Sequence, residues 1–272
     1  MATILFGGKT VAEIMSERGL VSNISEELLK DIFDDYTSRI EEFERIANDI
    51  VGKLKKIKDK GIYSVYCRVK DPYELIAKIV RKTTSDCKID TKNYLYKITD
   101  IIGVRVLYLF RSDFFEIYKE IDNLFGKFFT ENIQVNALKG TEDTYRNLAD
   151  AMKANVKPKD MYSSVHYIMR TESDPETRVE IQTRTIFEEG FGEIDHKLRY
   201  TGSGKDKSPN EALYVGALKN LCYQVELCNE TAEMARAMFA LTLKEKNEKG
   251  SKEYLDGNAI FDKITEYLIN NS

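Results

Sequence analysis

Residues 101–110, IIGVRVLYLF, are almost wholly apolar and rich in β-branched side chains. Such a run is typical of a strand that is buried on both faces of a sheet. Asp100 stands just before this run and Arg105 in its middle. Because charged side chains are almost never fully buried unless they are paired or ligated, Asp100 is predicted either to cap a backbone group or to belong to a site.

In a second predicted strand, residues 178–184, β-branched side chains alternate strictly with charged or amide side chains. It has two faces, one with Val179, Ile181 and Thr183 and the other with Glu180, Gln182 and Arg184. If the two strands are neighbours, Asp100 and Glu180 can hold a divalent cation between them. Magnesium is usually bound by one or two carboxylates together with phosphate oxygens, so this pair would suit an enzyme that acts on nucleotide phosphates.

The pattern before the central strand predicts one long amphipathic helix. Ser25 can cap its first turn, and Gly61 follows its basic end. Its apolar stripe consists of Leu28, Ile32, Tyr36, Ile40, Phe43, Ala47, Ile50 and Leu54. A strand at Ile62–Val69 and a helix at Pro72–Lys82 are predicted next, followed by a polar loop over residues 85–97.

A helix is predicted over residues 112–128, after the central strand. Its inward-facing side chains should be Phe115, Tyr118, Ile121, Leu124 and Phe125. Residues 131–159 are polar and rich in lysine, and we expect either a disordered flap or an inserted element over the site, with a short helix near 142–153. Residues 162–170 and 178–184 are predicted to pair as a β-hairpin.

The C-terminal part of the chain is predicted to be helical. One helix covers residues 185–200 and presents Phe187, Phe191, Ile194 and Leu198 on one face. A linker at 201–210 leads to a long helix at 211–246, and a last helix is predicted near 251–270. The apolar stripe of the long helix consists of Leu213, Leu218, Leu221, Val225, Ala232, Met238 and Leu241.

These elements predict an α/β (α+β) fold with a mixed β-sheet flanked by helices. We divide the chain into an N-terminal helical region (1–61), a central domain (62–200) and a C-terminal helical extension (201–272). The domains together hold 272 residues, which is enough to bury a sizeable core.

Composition narrows the class of protein. The four cysteines, at 67, 87, 222 and 228, have no metal-like spacing, so we expect reduced, structural thiols. No apolar run reaches membrane-spanning length, and we expect a soluble, cytoplasmic protein with no membrane partner. The formal net charge of −4 argues against bulk attraction to nucleic acid, although residues 53–82 supply a local basic surface.

Cations in residues 68–82 form the first candidate site. Arg68 and Lys70 project from one face of a strand end, while Lys78, Arg81 and Lys82 share one side of the following helix. Converging cations at a strand-to-helix turn can hold a triphosphate. The segment could instead be a solvated basic helix with no ligand, and from this segment alone that is the better explanation.

Both histidines of the chain occur in two further motifs. The first motif contains Tyr162, Ser164 and His166, and the second, EIDHKLRY, contains Glu193, Asp195, His196, Lys197 and Tyr200. A histidine on a strand is usually a hydrogen-bonded structural residue. Two histidines cannot build a multi-histidine hydrolytic metal centre, and the sequence shows neither a Ser/His/Asp signature nor a glycine-rich phosphate loop.

Five motifs, in this order and spacing, resemble the synthetase domain of the RelA/SpoT family: RxK…K..RK, DIIGVR, YSSVH, VEIQTRT and EIDHKLRY. The resemblance covers about residues 62–200 and implies a nucleotidyltransferase-like synthetase fold. It also implies transfer of pyrophosphate from ATP to a ribose 3′-hydroxyl, typically of GDP or GTP, to give the alarmones ppGpp and pppGpp.

The resemblance implies a role for each matching residue. ATP would be bound by Arg68, which stacks on adenine, and by Lys70, Lys78 and Arg81, which hold its phosphates. Asp100 and Glu180 would be the catalytic pair. Asp100 would bind Mg²⁺, and Glu180 would either share the metal or act as general base on the attacking hydroxyl. Tyr162 would stack on the acceptor base, and His166 would contact the acceptor or its phosphates. Gln182, beside Glu180, would also bind the acceptor. Arg105, Arg184 and His196 would support the site.

The sequence departs from the family pattern on the acceptor side. Asp160 and Met161 stand where Asn–Gly usually precedes the tyrosine, Ser163 follows it in place of Arg or Gln, the Lys–Pro run at 157–159 is displaced by one residue, and residues 131–155 replace the usual acceptor motif. The ATP side is intact. Alternative acceptors are therefore the 3′ end of tRNA, as in toxin-like members of the family, or an adenosine nucleotide.

Other functions and partners also stay open at the level of sequence. A non-catalytic nucleotide or RNA sensor would keep the same fold, but intact Asp100, Glu180 and Arg68 argue against it. A toxin-like member would have an antitoxin protein as partner. Small members of the family are often homo-oligomers.

Overall fold

The computed structural model describes residues 4–201 and 209–247, with side chains over 4–198 and 213–242. Six strands lie in this part of the chain: β1 Ile62–Val69, β2 Ile102–Tyr108, β3 Gln134–Leu138, β4 Asn155–Lys159, β5 Ser164–Arg170 and β6 Arg178–Thr185. The helices are α1 Val11–Ser16, α2 Glu26–Ser38, α3 Ile40–Lys55, α4 Pro72–Lys82, α5 Tyr94–Lys97, α6 Phe114–Phe125, α7 Arg146–Ala151, α8 Ile186–Thr201 and α9 Pro209–Asn247.

All six strands form one mixed sheet in the order β1-β2-β6-β5-β3-β4. The β2–β6 and β3–β4 pairs are parallel, and the other pairs are antiparallel. Helices flank this sheet, so the predicted fold class is confirmed. The β5–β6 pairing also confirms the predicted hairpin.

The two faces of the sheet differ in chemistry. Val179, Ile181 and Thr183 of β6 are buried on the core face, and α3 packs against β1 and β2. Directly paired residues lie on the same face of a sheet. One such row on the opposite face runs across five strands and consists of Tyr66, Arg105, Gln182, His166 and Gln134. The central strand is therefore not buried on both faces as predicted, because Gly103 and Arg105 are only half-buried.

The predicted long N-terminal helix is two helices, α2 and α3. Ser25 caps α2 as predicted, since its side chain accepts from the backbone N–H of Leu28. The break falls at Arg39, whose backbone leaves the helical conformation (φ −105°, ψ 2°) while its guanidinium pairs with Asp174 at 2.6 Å. Gly61 ends the following turn with φ +96°, and a Cβ there would lie 2.6 Å from Cβ of Asp113, so only glycine fits.

Residues 131–159 are an ordered part of the sheet, not a disordered flap. They contain β3 and β4 with the predicted short helix, α7, between them. The sequence pattern missed both strands because each is only five residues long and β4 contains Pro158. Proline is tolerated there because β4 lies at the edge of the sheet.

The faces of α6 and α8 also differ from the prediction. In α6 the buried residues are Phe114, Ile117, Ile121 and Phe125. Ile121 and Phe125 were predicted to face inward, whereas predicted Phe115, Tyr118 and Leu124 are only half-buried. In α8 only Phe191 of the predicted stripe is buried, whereas Phe187, Ile194 and Leu198 are exposed. Polar side chains of α8 face the sheet instead.

The long helix α9 is confirmed at Pro209–Asn247. Leu218 of its predicted stripe is buried, but Leu213 and Met238 are exposed. Most of the predicted linker, residues 202–208, and the whole predicted helix at 251–270 lie outside the described residues. Within the described residues all four cysteines are free thiols, and none of the helices combines the length and apolar character needed to cross a membrane.

Candidate active site

Asp100 is held by two lysines at the point where the chain enters β2. Nζ of Lys70 lies 2.8 Å from Oδ2, and Nζ of Lys78 lies 2.8 Å from Oδ1. Lys70 follows the end of β1, and Lys78 lies in the second turn of α4. Since Asp71 caps α4 through the N–H groups of Tyr73 and Glu74, the turn from β1 into α4 is fixed, and both ammonium groups converge on Asp100.

Burial and charge act in opposite directions on these groups. Burial alone would raise the pKa of Asp100, but the ammonium groups of Lys70 and Lys78 outweigh it and hold that pKa below its usual value. Burial lowers the pKa of Lys70 even though Asp100 opposes the shift. Lys70 therefore carries its charge at an energetic cost, and Asp100 is ionised at neutral pH.

Glu180 lies on β6 beside Gly103 of β2. His166 of β5 reaches it, with Nδ1 2.8 Å from Oε1. Burial would raise the pKa of Glu180, but the hydrogen bond and charge of His166 lower it below its usual value. Glu180 is therefore a carboxylate with only 14% of its side chain exposed that stays ionised at neutral pH and can accept a proton.

His166 is oriented from its other side by Ser164. Oγ of Ser164 lies 2.7 Å from Nε2 of His166, so Ser164, His166 and Glu180 form a continuous hydrogen-bonded chain. This hydrogen-bonded chain could not be predicted from sequence, because Glu180 lies on a different strand from Ser164 and His166. Ser164 is buried, which suits a residue that fixes the imidazole ring rather than one that attacks a substrate.

Both carboxylates line one cavity of about 190 Å³ on the polar face of the sheet. The lining residues are Tyr66, Arg68, Asp100, Gly103, Val104, Arg105, Glu180, Gln182 and Glu193. Pockets for whole drug-sized ligands measure roughly 300–1,000 Å³, so this cavity fits reacting groups rather than two complete nucleotides. A larger cavity of about 560 Å³, between α3 and the β5–β6 hairpin, contains none of the predicted site residues.

Arg105 joins the sheet to α8 beneath this cavity. Its Nη1 contacts the hydroxyl of Tyr66 at 3.3 Å and pairs with Glu189 and Glu193. Burial opposes its charge, but Tyr66, Glu193 and Glu189 together raise its pKa. The charge of Arg105 is thus compensated within the protein, which fits the predicted supporting role.

Arg184 forms a second link between the sheet and α8. It donates to Oε1 of Gln182 and lies 3.2 Å from Oε2 of Glu189. Gly192 makes room for it, because a Cβ at that position would lie 2.7 Å from Nη1 of Arg184. Arg184 therefore orients the side-chain amide of Gln182, which lines the cavity.

Lys70, Lys78, His166 and Arg184 do not line this cavity but contact residues that do. Four further candidate residues are also absent from its lining. Arg81 and Lys82 are exposed on α4, and Lys82 donates to the carbonyl of Lys97 at 3.0 Å. Tyr162 packs against an apolar cluster that includes residues of α9. His196 is exposed on α8, and its charge acts on Glu193.

Sequence reasoning missed Tyr66 and Glu189. Tyr66 stands two residues before Arg68 on β1, so strand alternation places both on the same face. Glu189 stands four residues before Glu193 on α8, so helical spacing places both on the same side. Both residues could therefore have been predicted from their spacing to Arg68 and Glu193, which were already candidate site residues.

The two carboxylates fit a magnesium ion that arrives with a nucleotide. Oδ1 of Asp100 is buried and accepts no hydrogen bond of good geometry, although Lys78 lies nearby. No group of three or more His, Cys, Asp or Glu side chains among the described residues is arranged to hold a metal ion. Magnesium needs no third protein carboxylate when phosphate oxygens complete its shell.

Comparison with known proteins identifies the family. Residues 67–205, about half of the chain, match the model of the region found in RelA / SpoT proteins. GTP pyrophosphokinase YwaC of Bacillus subtilis (strain 168) is 30% identical over 138 residues, which are 49% of this chain and 56% of that protein. The chain thus spans only a little more than half the length of this curated relative.

Solved structures share the fold. The crystal structure of small alarmone synthetase 1 from Bacillus subtilis has a TM-score of 0.53 and 19% identity, over 76% of this chain and 98% of that one. The same protein bound to its product pppGpp gives a TM-score of 0.53 and 19% identity, over 76% and 99%. The ordered motifs, the mixed sheet and the family match agree, and this chain belongs to the RelA/SpoT family.

Proposed function

We propose that this protein transfers pyrophosphate from ATP to the ribose 3′-hydroxyl of a guanosine nucleotide, GDP or GTP. One observation carries the proposal: parallel pairing of β2 with β6 brings Asp100 and Glu180 to a single cavity whose lining also includes Arg68. The curated relative is a GTP pyrophosphokinase, which supports a guanosine acceptor.

The donor side is built by β1, α4 and the start of β2. Arg68 is exposed at the cavity, over Gly103, and its planar guanidinium can stack on the adenine. Lys70 and Lys78 now pair with Asp100, and the triphosphate of ATP would compete for their ammonium groups. Arg81, one turn after Lys78, would extend this basic surface along α4.

The acceptor side is built by β5 and β6. Glu180 would take the proton of the attacking 3′-hydroxyl as general base, with His166 orienting its carboxylate and Gln182 beside it. The new bond joins the 3′-oxygen to the β-phosphorus of ATP, the bond from that phosphorus to the α,β-bridging oxygen breaks, and AMP leaves. Such chemistry depends on positioning and charge more than on covalent catalysis.

Asp100 and Glu180 would also hold Mg²⁺ with the phosphate oxygens. When bound, the metal neutralises developing negative charge on the transferred group. Asp100 is suited to this task because it is ionised and its Oδ1 lacks a hydrogen bond of good geometry.

The direct test offers ATP labelled at its γ-phosphate, with Mg²⁺, to GDP, GTP, AMP, ADP and bulk tRNA in parallel. Label in a guanosine tetra- or pentaphosphate supports the proposal. Label in tRNA or in an adenosine nucleotide would keep the donor chemistry and replace the acceptor. Absence of transfer to every acceptor would overturn the proposal.

Variants of the two carboxylates test the assignment of the site. We expect Asp100→Asn and Glu180→Gln each to lower transfer by about 100-fold or more, because each loses a metal ligand or the general base. Circular dichroism should show an unchanged fold. Glu176→Gln, at an exposed glutamate of the same hairpin, is the matched control and should transfer normally. Wild-type activity in both site variants would show that the assignment is wrong.

A further inference from the structure

A second apolar cluster lies apart from the main core, where α8 and α9 meet the end of β3. Its buried members are Leu138, Met161, Phe191, Leu218 and Cys222, and Tyr162, Leu221 and Val225 pack against it. Met161 and Tyr162 belong to residues 160–163, which we call the acceptor segment because the family resemblance assigns stacking of the acceptor base to Tyr162. The apolar face of α9 therefore packs directly on the acceptor segment.

A buried polar contact fixes the same segment to α9. Oγ of Ser163 donates to Oε1 of Glu226 at 3.0 Å and accepts from the backbone N–H of Leu138 at 3.1 Å. Oε2 of Glu226 accepts from Nη2 of Arg111 at 2.5 Å. Glu226 is buried, and a buried carboxylate is tolerated only when such partners compensate it. The position of Ser163 is thus set by a helix far along the chain.

This contact is continuous with the proposed catalytic residues. Ser163 immediately precedes Ser164 in β5, and Ser164 contacts His166, which contacts Glu180. By contrast, Lys70 and Lys78 of the donor side are positioned by β1 and α4, and none of the α9 residues whose side chains the structure describes (213–242) lines the cavity. The described residues of α9 contact the acceptor segment through Ser163, and they contact the turn after β2, at the opposite end of that strand from Asp100, through Arg111, Ser112 and Asp113.

We infer that α9 is part of the acceptor site and that Glu226 is a positioning residue that holds the acceptor segment through Ser163. The inference rests on the proposed function and adds to it. Residues 160, 161 and 163, which depart from the family pattern, lie in the segment that α9 holds. The affinity of this protein for the acceptor is accordingly set in part by α9.

The test compares Michaelis constants for the two substrates in the full-length chain. We expect Glu226→Ala to raise the KM for GTP by about tenfold, because Ser163 and Arg111 lose a buried partner, and to leave the KM for ATP within about twofold. Glu226→Gln, which keeps one hydrogen-bond acceptor, should recover part of the loss. Glu230→Ala, at an exposed glutamate of the same helix, is the control and should match wild type.

Hydrogen–deuterium exchange supplies a readout that does not depend on turnover. Backbone amides of residues 160–166 should exchange faster in Glu226→Ala than in Glu230→Ala. Ser163→Ala removes only one hydroxyl and leaves the Glu226–Arg111 pair in place, so it repeats the kinetic test if Glu226→Ala fails to fold. It should also raise the KM for GTP selectively.

The outcomes separate the two proposals. If wild type transfers label to another acceptor, the KM for that acceptor is measured instead. An unchanged acceptor KM in both Glu226→Ala and Ser163→Ala, or equal rises in both Michaelis constants, would overturn this inference and leave the proposed function standing. No transfer by wild type to any acceptor would overturn the proposed function and this inference with it.

Discussion

Glu180 shows how one side chain can be largely removed from solvent and still stay charged. Burial favours the neutral form of Glu180, and Asp100 repels its negative charge. The hydrogen bond and charge of His166 outweigh both effects, so the pKa of Glu180 is lowered. A carboxylate with a folded-state pKa below its unfolded-state value stabilises the fold above the unfolded-state pKa. That stabilisation is lost as pH falls through the folded-state pKa.

The role of His166 can be tested by the pH dependence of transfer. We expect His166→Leu to move the acid limb of the kcat/KM profile to higher pH, because burial would then raise the pKa of Glu180 with less opposition. In His166→Asn the side-chain amide can replace the Nδ1 donor, so the limb should stay closer to that of wild type. An unmoved limb in His166→Leu would show that His166 does not control the charge of Glu180.

At the scale of elements, the local pattern of apolar and polar residues predicted secondary structure best where a segment is long and strongly periodic. Strand β1 and helix α4 have the predicted bounds, because alternation in one and Pro72 at the start of the other leave little choice. Strands β3 and β4 were missed because they are stabilised by their neighbours in the sheet rather than by their own composition.

The faces of helices were harder to predict than the helices themselves. In α8, ion pairs from Arg105 and Arg184 draw Glu189 and Glu193 toward the sheet. The apolar residues Ile194 and Leu198 are consequently exposed. A sequence pattern ranks positions by hydrophobicity, so it cannot foresee a helix that packs on its polar side. The carboxylate pair was predictable because Asp100 directly precedes one strand with a clear pattern and Glu180 lies in another. The contacts of this pair with Lys70, Lys78 and His166 depend on the tertiary fold.

Two glycines of α8 test this polar packing. Gly190→Ala, at an exposed position with nothing within 4 Å of an added Cβ, should raise the free energy of unfolding by about 0.5–1 kcal/mol through helix propensity. Gly192→Ala should lack this gain and lower transfer, because its Cβ would displace Arg184 from Gln182 and Glu189. Chemical denaturation and the transfer assay measure both effects. Equal stability and full activity of the two variants would contradict the proposed packing.

At the scale of the whole molecule, elements from both ends of the chain position the central site. Tyr36 of α2 is buried, and its hydroxyl donates a hydrogen bond to the backbone carbonyl of Lys70 at 2.5 Å. Helix α9 holds Ser163 from the opposite end of the sequence. In the proposed function the family motifs would supply the reacting side chains, and these two flanking helices hold the backbone at Lys70 and the side chain of Ser163.

The contribution of the N-terminal helices can be measured at Tyr36. Tyr36→Phe would leave the buried carbonyl of Lys70 without its donor, and we expect the free energy of unfolding to fall by about 1–3 kcal/mol. The KM for ATP should rise as well, because Lys70 is then less firmly positioned beside Asp100. Tyr63→Phe is the matched control, since Tyr63 lies on β1 with 50% of its surface exposed, and it should change neither quantity. If Tyr36→Phe proved as stable and as active as Tyr63→Phe, α2 would act only as a cover for the core, and the position of Lys70 would be set by β1 and α4 alone.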